Sequence, residues 1–247
     1  MQYLLTGIDT HLDYGFGVTG DSYYNSAEYL FENKENIKAI SQVEMPMNFL
    51  YRHSIELFLK SLIIIFHKRL KLPYGTEPYD SNSPKILTGG NWKDLYTCHW
   101  IDELYNYWLN ELLLKNKAKL DELATNGDWQ EYKEITDFFP FIAGYDRDSS
   151  FFRYPVTKNS SLDPKKFTMQ RLDPEKLQKL FTDNPDNREK KKGARVFMLL
   201  KNDNDEIVDG FEKNTNILTD ITHALKEVSH YFYCIHIMTR VTLCNGN

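Results

Sequence analysis

Cysteine is scarce, and what there is forms no pattern. Cys98, Cys234 and Cys244 make no CxxC pair and leave an odd one over, so neither a disulfide framework nor a zinc knuckle is expected, and a reducing, cytoplasmic setting is. Long apolar runs are missing as well. The most apolar segment, Leu57 to Phe66, is broken by Lys60 and too short to span a bilayer, and the opening MQYLLTGIDTH lacks the basic-then-apolar order of a signal peptide. No membrane association is expected. Positive charge is not in surplus: 30 Lys and Arg against 35 Asp and Glu leave −5, which excludes a global basic field for nucleic acid but leaves room for a local basic groove. There is no P-loop, GxGxxG, GxSxG or EF-hand pattern, so no cofactor is expected and most familiar enzyme classes drop out.

What is present is a globular composition. Of the 247 residues 41% are apolar and 14% aromatic, enough to build a core without disulfides or metal, and the length suits one domain across residues 1–247. Residues 1–20 scatter Gly7, Gly15, Gly17 and Gly20 without periodicity and read as an irregular lead-in. Helices are expected over about Ser22–Ile37, Met47–Leu70, Cys98–Lys115, Trp129–Ile142 and Thr215–Thr242, the fourth bent or ended near Pro140. FLKSLIIIF in the second is apolar on nearly every face, which marks the central helix of a bundle. Residues 72–92, rich in Pro, Gly and small polar residues, read as a long connection. Residues 150–212 read as an insertion, with the basic run EKKKGAR and a β-hairpin near 194–211 (ARVFMLL, KNDND, EIVDGF). The fold class is therefore mainly α: a helical bundle over about 22–145 and 214–243 with a small β-hairpin insertion.

Chemistry concentrates in Arg52-His53-x-x-Glu56-x-x-x-Lys60. Arg52, Glu56 and Lys60 recur every fourth residue and form one line along the helix, with His53 beside it. Such a line is either a solvent face stitched by ion pairs or a rigid polar row lining a cleft. A second cluster is Asp146-Arg147-Asp148-Ser149-Ser150-Phe151-Phe152-Arg153-Tyr154-Pro155, in which Arg153 either stacks on a ring and holds a phosphate or carboxylate, or anchors the loop by pairing with Glu56 or Asp148. His99 opens the third helix as a packing residue or a functional one. His223, Glu227 and His230 share a face of the last helix, but no HExxH motif or further ligand accompanies them, so no metal site is assigned. The combined expectation places Arg52, Glu56 and Lys60 opposite His99 and Arg153 in one cleft.

The RHSIELFLK string, the helix order and the later FRYP string resemble the HEPN superfamily of prokaryotic helical bundles, over about residues 22–145 and 214–243. That resemblance implies a four- or five-helix bundle, a place in toxin–antitoxin or anti-phage defence systems, a homodimer, and in many members metal-independent cleavage of RNA by an Arg-x4-6-His motif on a late helix. No Arg here, from Arg52 to Arg240, has a His five to seven positions later, so that motif is absent and its catalytic residues do not transfer. RNA cleavage would then fall to other groups: Arg52, His53 and His99 as catalytic candidates, and Glu56, Lys60 and Arg153 as substrate-binding ones. The same groups would equally bind RNA or a nucleotide without cutting. The rival reading is a non-catalytic interaction or scaffold module, with a protein partner from a defence operon. The aromatic-rich third and last helices offer material for the dimer patch.

Overall fold

A helix apolar on nearly every side must be surrounded, and α2 (Glu44–Leu70) is. In the computed structural model, which describes residues 5–37, 43–182, 196–214 and 218–246, it packs against α1 (Phe16–Asn33), α7 (Thr219–Thr242), α3 (Ile101–Asn106) and the π-helical Tyr107–Leu113 that continues α3. Pro46 sits in its first turn, and Lys71 ends it in the left-handed conformation (φ 52°), the Leu72 N–H donating back to the His67 carbonyl at 3.0 Å. Among the described residues the chain is mainly α with two small sheets. No helix among the described residues is long and apolar enough to cross a membrane.

The first helix corrects the expected lead-in: it begins at Phe16 and includes Gly17 and Gly20. Both glycines mark close approach. A Cβ on Gly17 would lie 2.0 Å from Cε1 of His236 on α7, and one on Gly20 would lie 3.0 Å from the Phe58 ring on α2. What looked like punctuation is the surface on which three helices meet.

Residues 72–92 are not a bare connection. β1 (Lys85–Thr88) and β2 (Asn91–Asp94) form an antiparallel hairpin, turned by Gly89 and Gly90 at φ 55° and 78°, values a two-residue hairpin turn requires. After α3 and its π-helical continuation comes α4 (Lys117–Leu123). The next helix, α5, spans Lys133–Asp146 rather than 129–142 and continues past Pro140 instead of ending there. Pro140 faces solvent, so the Thr136 carbonyl that loses its helical donor is not stranded in the core. Trp129 precedes the helix and is buried, its Nε1–H donating to the Ala124 carbonyl.

Residues 150–212, expected as an insertion, hold more than a hairpin. β4 (Phe197–Lys201) and β5 (Ile207–Lys213) pair as expected, and β3 (Met169–Arg171) adds a third antiparallel strand on the other side of β5; α6 (Pro174–Thr182) lies between β3 and β4 in sequence. The basic run EKKKGAR, with residues 194 and 195 of the expected hairpin and 215–217 of the expected last helix, lies outside the described residues.

The aromatic surfaces of the third and last helices, expected at a dimer patch, face each other inside. Trp108 and Phe232 are fully buried with ring centroids 5.3 Å apart, and Tyr105 stacks on Phe139 at 3.8 Å.

Candidate functional site

The polar row on α2 is enclosed. Arg52, Glu56 and Lys60 are 0%, 1% and 2% exposed, so the line is not a solvent face. Buried charges must be paired and hydrogen-bonded, and here each is. Glu56 is the centre: its Oε2 accepts from Arg52 Nη1 at 2.5 Å, and its Oε1 accepts from Lys60 Nζ at 3.0 Å and from His99 Nδ1 at 2.9 Å. Burial raises the Glu56 carboxyl pKa, but Arg52, Lys60 and the His99 hydrogen bond outweigh it and hold the group down to about 2.

The two cations spend their remaining donors on backbone carbonyls. Arg52 donates to the carbonyls of Asp146 (3.4 Å) and Arg147 (3.2 Å) at the end of α5, and to that of His99. The last turn of α5 carries no basic residue of its own, so a guanidinium from α2 closes it and meets its negative dipole end. Lys60 donates to the Tyr96 carbonyl at 3.0 Å. Arg52 Nε also lies 3.5 Å from Asp146 Oδ2, while burial pushes the Asp146 carboxyl pKa upward against Arg52.

The result is a clamp on residues 96–99: Lys60 holds Tyr96, and Arg52 and Glu56 hold His99 by its carbonyl and its ring. His99 precedes α3 instead of opening it, and its side chain is 52% exposed. Ionised Glu56 only accepts, so the hydrogen between it and His99 resides on Nδ1, and in the neutral ring Nε2 is the acceptor. No hydrogen bond to Nε2 is found among the described residues.

Two candidates lie apart from this contact. His53 is half-buried between Tyr23 (ring centroids 4.6 Å) and Phe49 (5.6 Å, nearly parallel), and burial lowers its pKa, with Glu56 opposing. Arg153 is exposed, donates to Ser149 Oγ at 3.3 Å and lies over the Phe49 ring at 5.5 Å. Its expected pairing with Glu56 or Asp148 is absent among the described residues. The structure therefore brings Arg52, Glu56, Lys60 and His99 together, and sets His53 with Arg153 on the neighbouring side of α2.

On α7, His223 pairs with Glu227 at 3.9 Å, and His230 Nδ1 lies 2.8 Å from the Tyr24 hydroxyl. Among the described residues no three His, Cys, Asp or Glu side chains are grouped to hold a metal ion.

Sequence reading missed three things. Asn48, one turn before Arg52, extends the row and is fully buried; its i,i+4 spacing was the available signal. Trp100, read as part of a helix face, is exposed. A second buried network joins Asp13 to Gly17 N–H (2.7 Å), Ser61 Oγ (2.5 Å) and Arg240, beside His236. Burial and Arg240 push the His236 pKa down to about 3, which keeps the ring neutral. Asp13 is held below the carboxylate range by Arg240 and Ser61 against burial. An Arg and a His one turn apart within the apolar face of α7 were the only hint.

No family model, curated protein or solved structure matches the chain.

Proposed function

We propose that the chain is a HEPN-like defence protein that acts on RNA, with His99 as general base held in place by Glu56. One observation carries this reading: the 2.9 Å contact between a buried, ionised carboxylate and Nδ1 of a half-exposed histidine. A carboxylate in that place fixes the tautomer, orients the ring and stabilises the imidazolium that forms on proton uptake. His99 Nε2 takes the proton of a ribose 2′-hydroxyl, and the 2′-oxygen attacks the adjacent phosphorus. The bond to the 5′-oxygen breaks, and that oxygen takes a proton from water. The products are a 2′,3′-cyclic phosphate and a 5′-hydroxyl, and no metal is called for. Arg52 and Lys60, being enclosed, act here as positioning residues that hold the loop carrying the base. The RHxxELxLK string and the central place of α2 support the HEPN-like assignment, which brings with it a homodimer, a defence-operon partner and a cytoplasmic site of action.

The second reading, a non-catalytic interaction module, is favoured by the completeness of the buried row: the charged groups of Arg52, Glu56 and Lys60 all bond to the protein itself. Induced expression separates the two. The nuclease reading expects growth arrest that His99→Ala relieves at equal soluble abundance. Growth without arrest, or arrest that His99→Ala leaves intact, favours the interaction module.

A further inference from the structure

The loop that the buried row clamps carries more than His99. Trp100 is 38% exposed, although the fold has a large aromatic core to receive such a ring. Two cations lie over it: Lys93 Nζ at 5.2 Å and the Arg147 guanidinium at 5.1 Å from the ring centroid. Arg147 is fixed there by Asp102 (3.1 Å) and Glu103 (2.9 Å), whereas Lys93 is exposed and makes no ion pair among the described residues. Behind them the segment is anchored by Lys60 on Tyr96, by Arg52 and Glu56 on His99, and by Asp94, whose carboxylate accepts the Tyr96 N–H at 2.7 Å.

We infer that Trp100, Lys93 and Arg147 form a nucleotide subsite next to His99: a nucleobase stacks on Trp100 and its phosphate is drawn to Lys93. This deepens the reading of His99 and rests on it only for the chemistry, since the subsite would bind whether or not His99 cuts. An exposed indole with cations on its face suits a flat π-system bearing an anion. The same cations exclude a cationic ligand such as a methylated lysine, and a purely aliphatic ligand would leave both unused. Lys93 is the mobile member. As the base takes its place on the ring, its flexible stem carries the ammonium to the phosphate, while Arg147 stays with its two carboxylates. The clamp pre-orders the loop, so little ordering remains to oppose binding.

The charge count makes the proposal specific. Asp102 and Glu103 more than offset Arg147, and Asp94 follows Lys93 in the chain, so these five groups sum to −1 and the subsite cannot grip a run of phosphates. Stacking must carry the affinity. One phosphate contact predicts a log–log salt slope of about −0.7 for a single strand. The ligand is thus one nucleotide unit, either free or within a single strand, and duplex RNA, whose bases are already stacked, is excluded.

The test uses the full chain with adenosine 5′-monophosphate, a fluorescein-labelled 2′-O-methyl oligoadenylate that cannot be cut, and the same oligomer annealed to its complement. Binding is read by anisotropy and by competition. The proposal expects Trp100→Leu to weaken binding by about tenfold or more and Trp100→Phe to keep most of it. Lys93→Gln should weaken it by a few-fold, and the duplex should bind worst. Melting curves confirm that each variant is folded. Competition by the mononucleotide assigns the site to a free nucleotide as well as a strand; competition by the oligomer alone assigns it to a strand. No binding of any probe, equal binding by Trp100→Leu, or a salt slope of three or more phosphates overturns the inference. A Trp100-dependent complex without cleavage of ordinary RNA leaves the subsite standing and removes the nuclease reading. Cleavage and binding both unaffected by Trp100→Leu do the reverse.

Discussion

The guanidinium of Arg52 donates to the main-chain carbonyl of His99 while also closing the C-terminus of α5 at Asp146 and Arg147. One buried side chain thus fixes the candidate base, a helix end and, through Glu56, the cation two turns on. Arg52→Met keeps the stem and removes the donors. Expected is a loss of about 3–5 kcal/mol, because the α5 carbonyls and Glu56 lose a buried partner. Amide exchange should accelerate at residues 97–101 and at the end of α5 beyond the global effect. Unchanged local protection would mean the row does not hold the loop.

Glu56 makes stability depend on acid pH. Its folded carboxyl lies near 2, below its ordinary 4.5, so the stabilisation is full above pH 4.5 and drains away as the pH falls toward 2. The amount is roughly 3 kcal/mol, from about 1.4 kcal/mol per unit. Asp146, whose carboxyl is raised by burial, works in the opposite sense. Against Glu56→Gln, wild type should be the more stable by a constant margin above about pH 5, and the margin should shrink below pH 4.5. Urea titrations across that range check it; a margin independent of pH would contradict it.

Gly17→Ala tests the helix contact that the sequence hid. Helix propensity alone favours alanine by about 1 kcal/mol. The added methyl would meet the His236 ring and Asp13 Oδ2, at 2.0 and 2.8 Å, and neither belongs to a side chain with room to retreat. Overpacking should win, with a net loss of about 1–3 kcal/mol, larger than for Gly20→Ala. A stabilised Gly17→Ala would show that α1 and α7 are further apart.

His236 is expected to stay neutral in the folded protein. Burial and Arg240 lower its pKa to about 3, with Asp13 opposing, so only the unfolded chain takes up this proton as the pH falls below 6.5. Nitrogen-15 spectra of the ring should show no protonation between pH 8 and 5, and the group should contribute instability, not stability, in acid. Titration near pH 6 would place the ring in contact with water.

Periodicity made α2 and α7 legible, since both are long and bury whole faces. It failed where local residues serve distant contacts. Gly17 and Gly20 look like breakers until α2 and α7 are brought against them, and Pro140 reads as a stop until its solvent side is known. Gly89-Gly90 did carry a hairpin signal, masked by the prolines around it. In the site, the i,i+4 spacing placed Arg52, Glu56 and Lys60 on one line, but spacing on one helix says nothing about which carbonyls approach from elsewhere. The partners Tyr96, His99, Asp146 and Arg147 come from two other segments, and only the fold brings them in.

Single-stranded RNA incubated with purified protein in excess chelator, with end groups analysed by mass spectrometry, tests the central claim most directly. The account expects new 2′,3′-cyclic phosphate and 5′-hydroxyl ends, their formation abolished in His99→Ala, with that variant still folded at the assay temperature, and sharply reduced in Glu56→Gln. Intact RNA, or the same ends at the same rate from His99→Ala, would contradict it.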